Sequence, residues 1–367
     1  MVKVIERTHN TPGGKYIYGI INSDKELSLD PFPVGNIKEA KQDNQISNGV
    51  RAISYQDISA VVSDSKIVDY TNMPKEVLVR WLVNHQEVIE RIMSQGYAII
   101  PVRLGTFAVD ENEVKDILHR GYSLIKDIEE KISDKIEVDV AATWSDFSLA
   151  LKEVSEEKEI KEFKEKLLAK AKEVTVDEQM KVGIMIKKVL DKKREKYAQE
   201  IQNALKTISE DFKAHELMDD KMIINTAFLI NRDEQKDFDR KIEKLNTEFA
   251  EKLNFKYIGP LPPYSFYTLE IKKIPFEEID WARKRLGLND FASEEEIKKA
   301  YKAKAFSSHP DRNLDASGIE REFDDATKAY EILIDYGNAC EQITHGRMYS
   351  FKEEECKGNA ILVKVRG

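Results

Sequence analysis

The chain has 367 residues with a formal net charge of -9, and 34% of its residues are charged. This length exceeds what one ordinary hydrophobic core supports, so two or three domains are expected. The acidic balance argues against a general nucleic-acid binder, since phosphate binding needs concentrated positive charge, and no apolar run approaches the ~20 residues of a membrane-spanning helix.

The first part of the chain alternates strand and helix signals. Met1–Arg7 lacks the long apolar core of a signal peptide, so we expect a soluble cytosolic protein. Strands are predicted at residues 16–21, 50–53, 58–62, 97–103 and 136–140. Pro74 begins one helix and Asp110 caps a second. The order β-ββ-α-β-α-β predicts a ferredoxin-like α+β domain over residues 1–145.

Residues 146–276 combine charged helices with a second α+β domain. Lysine and glutamate alternate over Lys152–Lys172, and apolar stripes before and after Thr175 predict two helices joined near it. Such charge runs are usually solvated helix faces. A strand at 222–230 and an amphipathic helix then lead into the next segment. The predicted fold class is therefore α+β, with two αβ sandwich domains joined by charged helices.

The segment Phe255–Phe266 is rich in proline and is almost unable to form a helix. Pro260, Pro262 and Pro263 lack a backbone N–H and favour extended conformations in their predecessors. Strand-like residues flank the prolines on both sides. An edge strand or bulge that closes a sheet is the favoured interpretation, and a surface loop with some aromatic residues is the alternative.

Several motifs of this region occur together in one order. They are Tyr16–Gly19, Val50–Ile53, Ile58–Val62, His85–Ile89, Ile100–Phe107 and Gly259–Phe266. In this combination, about residues 15–270 resemble the gas vesicle accessory family GvpF/GvpL. The resemblance implies a cytoplasmic, gas-vesicle-associated, non-enzymatic assembly factor. Its implied partners are the hydrophobic shell protein GvpA and other Gvp accessory proteins, and a minor structural component of the shell is the alternative role.

Three residues of this region are candidates for catalytic groups. His85 lies on the apolar face of its helix, where a satisfied core or boundary histidine is favoured. Arg103 precedes Gly105, but neither a phosphate loop of the GxxxxGK[ST] type nor a paired nucleophile and base accompanies it. Thr106 is expected to belong to the same strand and turn. No catalytic residue, cofactor or metal ligand is therefore predicted.

A helical segment follows the proline-rich one. A short helix ends at Gly287, and a capping box of Ser293 with Glu296 begins the next. Pro310 ends that helix, and Asp311 suits the turn. A returning helix carries one apolar face. Its apolar residues are Phe323, Ala326, Ala329, Tyr330, Leu333 and Ile334.

Together these features resemble a J-domain over about residues 277–335. The resemblance implies docking to an Hsp70 chaperone, with His309, Pro310 and Asp311 stimulating its ATP hydrolysis. It also implies that Lys298, Tyr301 and Lys302 supply the contact face. A basic stripe on an acidic protein suits a steered, salt-sensitive encounter.

The segment departs from the J-domain pattern at several positions. Lys304 stands where a core leucine is usual, and Ala303 where a second basic contact is common. Ser307 and Ser308 replace a basic-aromatic pair. The alternative interpretation is a J-like fold that is retained as a docking module and no longer drives Hsp70.

Residues 336–367 carry two further strand signals. Met348–Phe351 and Ala360–Val365 predict a hairpin that joins the sheet of the second domain, which would make the J-like unit an insertion. Cys340 and Cys356 form neither a disulfide framework nor, with His345, a recognisable zinc-ligand spacing.

Overall fold

The computed structural model describes residues 13–24, 46–68, 73–169, 174–308, 319–344 and 348–366. Contacts divide the chain into two units, one of Met1–Lys131 with Tyr267–Gly367 and one of Ile132–Phe266. Each unit contains sheets and helices, and the first also contains a small helical segment near its C-terminus. The predicted α+β class is confirmed.

The first unit begins with an antiparallel five-stranded sheet. Its strands are β1 (Gly13–Asn22), β2 (Ile46–Tyr55), β3 (Ile58–Lys66), β4 (Ile99–Pro101) and β5 (Phe107–Ala108). The order is β2-β3-β1-β4, and β5 also pairs with β1. Two helices accompany the sheet, α1 (Lys75–Ser94) and α2 (Glu111–Ile132). The Asp110 carboxylate accepts the Glu113 N–H at 2.9 Å, which confirms the predicted cap.

The second unit contains a four-stranded antiparallel sheet in the order β7-β8-β6-β9. Its strands are β6 (Lys135–Trp144), β7 (Asp211–Ala214), β8 (Met222–Asn231) and β9 (Leu253–Leu261). Its helices are α3 (Phe147–Ser155), α4 (Lys158–Leu168), α5 (Val176–Lys206) and α6 (Gln235–Glu248), with a 3-10 turn at Arg232–Glu234. A capping box of Thr175 with Glu178 begins α5, so the predicted helix junction is confirmed.

Strand β6 corrects one sequence prediction. The strand predicted at 136–140 was assigned to the first domain, whereas β6 lies between β8 and β9 in the second sheet. Alternating burial identifies a strand and its faces, but it does not say which neighbouring strands supply the hydrogen bonds. The proline-rich segment follows the prediction in its first half, which is the edge strand β9. The extended flank predicted after the prolines is wrong at Tyr264–Tyr267, which forms one helical turn, because Pro262 and Pro263 precede the turn and remove no hydrogen bond within it.

The C-terminal part of the first unit is mostly helical. The one-turn helix α7 (Tyr264–Tyr267) falls where the chain passes from the second unit to the first. The helices after it are α8 (Phe276–Leu286), α9 (Glu294–Ser307), α10 (Ile319–Thr344) and α11 (Glu353–Asn359). The strands of this part are β10 (Leu269–Lys273), β11 (Phe291–Ala292), β12 (Tyr349–Ser350) and β13 (Ile361–Val365).

The predicted C-terminal hairpin is wrong. Strand β12 pairs with β11, and β13 pairs with β10, so the two strands are not partners of each other. Strand β10 lies beside the first sheet through a parallel bridge between Val102 and Leu269. The C-terminus therefore returns to the first unit and not to the sheet of the second. The helical segment is still an insertion, because β10 precedes it and β13 follows it.

Candidate functional site

The J-like segment is built on local signals that the structure reproduces. Helix α8 ends at Gly287, whose φ of 71° is the left-handed conformation that glycine adopts readily. Helix α9 begins with the predicted capping box, in which the Ser293 N–H donates to the Glu296 carboxylate at 2.8 Å. That hydrogen bond lowers the pKa of Glu296. These caps fix where the helix carrying the candidate contact residues starts.

The candidate contact residues of α9 differ in their surroundings. Lys298 and Lys302 are exposed, and Lys298 forms an ion pair with Glu294 one turn earlier. Tyr301 is half-buried instead. Its ring stacks on that of Tyr330 with the centroids 4.4 Å apart. Tyr301 therefore joins α9 to α10, while the two lysines present positive charge to solvent.

The remaining candidates, His309, Pro310 and Asp311, lie outside the described residues. Lys304, which stands where a J-domain usually has a core leucine, is exposed, so this departure from the pattern does not bury a charge. Ser308 is buried, and its hydroxyl donates to the Lys304 carbonyl at 2.8 Å at the end of α9. Phe306 is 63% exposed, which leaves a large apolar side chain at the surface beside the predicted turn.

The core of the J-like segment extends beyond the three helices. It contains Ile274, Ile279, Ala282, Leu286, Ala292, Ile297, Ala326, Ala329, Ile332, Leu333, Tyr336, Cys340, Tyr349, Phe351 and Cys356. The Tyr336 hydroxyl donates to the Ser350 carbonyl at 2.6 Å, which ties α10 to β12. Residues after the J-like helices thus complete their core.

The two cysteines belong to that core, and neither is in a disulfide bond. Burial raises the pKa of Cys340 to about 11 and also raises that of Cys356, so both stay protonated at neutral pH. His345 lies outside the described residues. No group of three potential metal ligands occurs in the part of the chain that the structure describes.

The second unit brings together a polar cluster that the sequence analysis does not predict. Glu137 on β6 is 1% exposed, and it accepts the Ser265 N–H and the Ser265 hydroxyl, both at 2.8 Å. His215 Nε2 lies 3.1 Å from the same hydroxyl oxygen. Asp139, two residues along the strand, lies on the same face, and its Oδ1 is buried with no hydrogen-bond partner among the described residues. Burial raises the pKa of both carboxyl groups, that of Glu137 to about 8.

This cluster lacks the arrangement of a hydrolytic triad. In such a triad an imidazole lies between hydroxyl and carboxylate and takes the hydroxyl proton. Here the Ser265 hydroxyl lies between His215 and Glu137 and donates to the carboxyl group. A cavity of about 450 Å³ in the same unit is lined by other side chains, among them Tyr197, Leu245 and Phe249. The geometry therefore suits a structural clamp on the proline-rich segment.

One signal for the cluster was present in the sequence. Glu137 and Asp139 alternate with Ile136, Val138 and Val140, which places two carboxyl groups on one face of a strand that is otherwise apolar. The proline-rich segment covers that face, and only the fold shows it.

The three candidate catalytic residues all make contacts within the fold. His85 is 3% exposed and hydrogen-bonded to the Tyr16 hydroxyl at 2.8 Å, and burial lowers its pKa to about 4. Arg103 forms an ion pair with Glu270. The Thr106 hydroxyl donates to the Arg103 carbonyl at 2.7 Å, as expected for a turn. In the described ranges, no helix has the length and apolar content to cross a membrane.

Comparisons with known proteins match two parts of the chain. Residues 14–268 match the family described as gas vesicle synthesis protein GvpL/GvpF, and residues 284–338 match the DnaJ domain. The chain is 23% identical over 263 residues to gas vesicle protein F of a Nostoc species, covering 69% of this chain and 97% of that protein. It is 56% identical over 50 residues to chaperone protein DnaJ of Herminiimonas arsenicoxydans, covering 14% of this chain and 13% of that protein.

Two solved structures share the fold of the larger part. Crystal structures of GvpF from an Anabaena species and from Microcystis aeruginosa align with TM-scores of 0.58 and 0.55. They are 23% and 22% identical, and each alignment covers 70% of this chain and 98% or 99% of the other. The similarity covers both sheet-and-helix regions, whereas the helical segment resembles DnaJ.

Proposed function

We propose a function from the premise that this chain belongs to the GvpL/GvpF family of gas vesicle synthesis proteins and carries a DnaJ domain. In this proposal the chain is a gas vesicle assembly factor that binds the hydrophobic shell protein GvpA and assists vesicle formation. The observation that carries the proposal is the family match over residues 14–268. Other Gvp accessory proteins are proposed as further partners, and the cytoplasm as the place of action.

The physical need for such a factor follows from the chemistry of a gas-filled wall. Shell subunits that form the wall must expose apolar surface before they assemble, and such surface aggregates when it is unprotected. A chain with net charge -9 that covers this surface would keep the subunits apart and soluble.

We propose binding and not catalysis as the activity. Both oxygens of the buried Glu137 carboxyl group accept hydrogen bonds from Ser265. His85 is likewise buried against Tyr16. These contacts support the proposal because they account for the most perturbed acid and imidazole groups without a substrate.

A sedimentation assay tests the proposed function. Shell protein diluted out of denaturant is centrifuged with and without the purified chain. We expect the chain to keep shell protein in the supernatant at near-equimolar ratio. Equal pelleting in both samples would contradict the proposal. Retention of the chain on washed, intact vesicles would instead favour the alternative role of a minor shell component.

The DnaJ domain supports a second function, that of an Hsp70 co-chaperone. The exposed Lys298 and Lys302 on α9 provide the positive charge that a steered encounter needs. We expect the chain to stimulate Hsp70 ATP hydrolysis, His309→Gln to abolish the stimulation, and Lys302→Glu to weaken it most at low salt. An ATPase rate unchanged by the wild-type chain would exclude this function and leave the J-like segment as a docking module.

A further inference from the structure

Helix α5 carries an exposed apolar stripe on its N-terminal half. Val176, Met180 and Ile184 are 72%, 61% and 59% exposed, and their spacing of four residues places them on one helical face. A surface helix ordinarily turns its apolar residues towards the core. The C-terminal half of α5 does so, since it buries Ile201 and Leu205. The stripe faces solvent instead.

The stripe is not needed to hold α5 in place. The other side of the same helical half carries Val182, Ile186 and Val189, which are half-buried, and α5 contacts both α3 and α4. The helix therefore has one apolar side that packs within the unit and a second that does not. Contiguous apolar surface of this kind marks interaction sites in soluble proteins.

A glycine lies within the stripe. Gly183 falls on the same face in the N-terminal half of the 31-residue helix, and a Cβ atom placed on it would meet nothing within 4 Å. Glycine in a helix interior is destabilising relative to alanine, and no internal packing of the described residues requires it here. Its absence of a side chain would let another backbone approach closely. The α5 stripe is defined as Val176, Met180, Gly183 and Ile184.

The charges beside the α5 stripe indicate the chemistry of its partner. Met180–Leu190 contains three exposed lysines and no acidic residue, although the chain as a whole is acidic. These lysines are Lys181, Lys187 and Lys188, and Lys187 forms an ion pair with Asp191 at 3.7 Å, one turn later. At the other end, Glu178 is engaged in the capping box, so Asp177 is the carboxylate for which the described residues provide no partner. Two antiparallel copies would oppose Lys181 and Lys188 with Asp177 alone, so a partner with its own acidic residues fits better.

We propose that the α5 stripe is the docking surface for an apolar helix of the shell protein, with acidic side chains of that helix facing Lys181 and Lys188. This assignment rests on the proposed function and adds the binding surface to it. Met180 suits such a surface because its flexible thioether adapts to different apolar shapes. The small area of the stripe fits a transient contact, which an assembly factor must release.

Sedimentation of shell protein with matched variants tests the assignment. The stripe variant is Met180→Glu with Ile184→Glu, and the control is Leu82→Glu with Val83→Glu on α1, two side chains that are 53% and 50% exposed. Glutamate is a good helix former, so both variants are expected to fold, and circular dichroism verifies this. We expect the stripe variant to require about tenfold more chain to hold half of the shell protein, and the control to match wild type.

The outcomes separate this inference from the proposed function. If wild type holds the shell protein and the stripe variant does so equally well, the assignment of the surface is overturned while the proposed function stands. Loss of activity in the control, alone or together with the stripe variant, also overturns it. If wild type itself has no effect, the proposed function fails and the assignment fails with it. A wild-type dimer that the stripe variant dissociates would assign the face to self-association.

Gly183→Ala provides a second, independent test. The added methyl group meets open space in the free chain, so the thermal midpoint is expected to rise by about 2–4 °C. The same methyl group would crowd a closely approaching helix and weaken holding of the shell protein roughly threefold. A variant that is more stable and binds less well supports the inference. Unchanged binding would contradict the close approach.

Discussion

Ser265 places both of its donors, the backbone N–H and the hydroxyl, on the carboxyl group of Glu137, each at 2.8 Å. Ser265 ends the proline-rich segment, and Glu137 lies on the central strand β6. Glu137 is buried, and removing its carboxyl group from water costs free energy. The two hydrogen bonds offset that cost. The clamp therefore fixes the proline-rich segment on the sheet.

The clamp predicts a pH dependence of stability. Burial raises the pKa of Glu137 to about 8 from an ordinary 4.5, so between these values the folded state holds a proton that the unfolded state has lost. The free energy of unfolding then falls as the pH rises, by up to about 1.4 kcal/mol per pH unit. His85, whose pKa burial lowers to about 4 from 6.5, acts in the opposite direction, but only below pH 6.5.

Between pH 6.5 and 8, therefore, Glu137 changes the free energy of unfolding and His85 does not. We expect urea denaturation to show a loss of about 1–2 kcal/mol across this range. Glu137→Gln should remove most of that loss, because the amide mimics the protonated carboxyl group without titrating. Glu248→Gln, at an exposed position on α6, is the control and should keep the wild-type slope. A slope that persists in Glu137→Gln would show that another group titrates.

Replacing Phe351 tests whether the stability of the J-like helices depends on the C-terminal segment. The Phe351 side chain is 2% exposed in the same core as α8, α9 and α10, with its ring centroid 5.9 Å from that of Tyr336. We expect Phe351→Ala to destabilise the segment by about 3–5 kcal/mol, because it leaves a cavity in that core. Hydrogen exchange of the amides of α8–α10 should accelerate accordingly.

Met348→Ala is the matched control, since Met348 is 56% exposed. It is expected to change stability by less than about 0.5 kcal/mol. Equal exchange rates in the two variants would mean that the three helices fold without the residues that follow them.

Gly337 occupies a helix position where we expect alanine to lower the stability of the fold. A Cβ atom at this residue of α10 would lie 2.7 Å from Cε2 of Tyr349. The Tyr349 hydroxyl donates to Glu341 at 2.6 Å, which restrains the ring. We expect Gly337→Ala to lower stability by about 1–3 kcal/mol despite the better helix propensity of alanine. Thermal denaturation of Gly337→Ala and Gly183→Ala, side by side, checks this, since Gly183→Ala should gain stability. A higher thermal midpoint in both variants would refute the prediction.

The local features of this chain followed from its residues. Both capping boxes, Thr175 with Glu178 and Ser293 with Glu296, depend on side chains three positions apart. Pro74 and Gly287 mark helix ends for reasons of backbone geometry alone. The order of the motifs was likewise sufficient to indicate the gas vesicle family and the DnaJ domain, because motifs are properties of neighbouring residues.

The pairing of distant segments was decided only in three dimensions. Strand β6 joins the second sheet and β13 pairs with β10, contrary to prediction, because alternation within a strand does not specify its partners. Glu137 and Ser265 lie 128 residues apart in sequence, so no local pattern relates them. The outward direction of the α5 stripe was hidden for the same reason, since periodicity defines an apolar face but only packing determines whether the protein buries it.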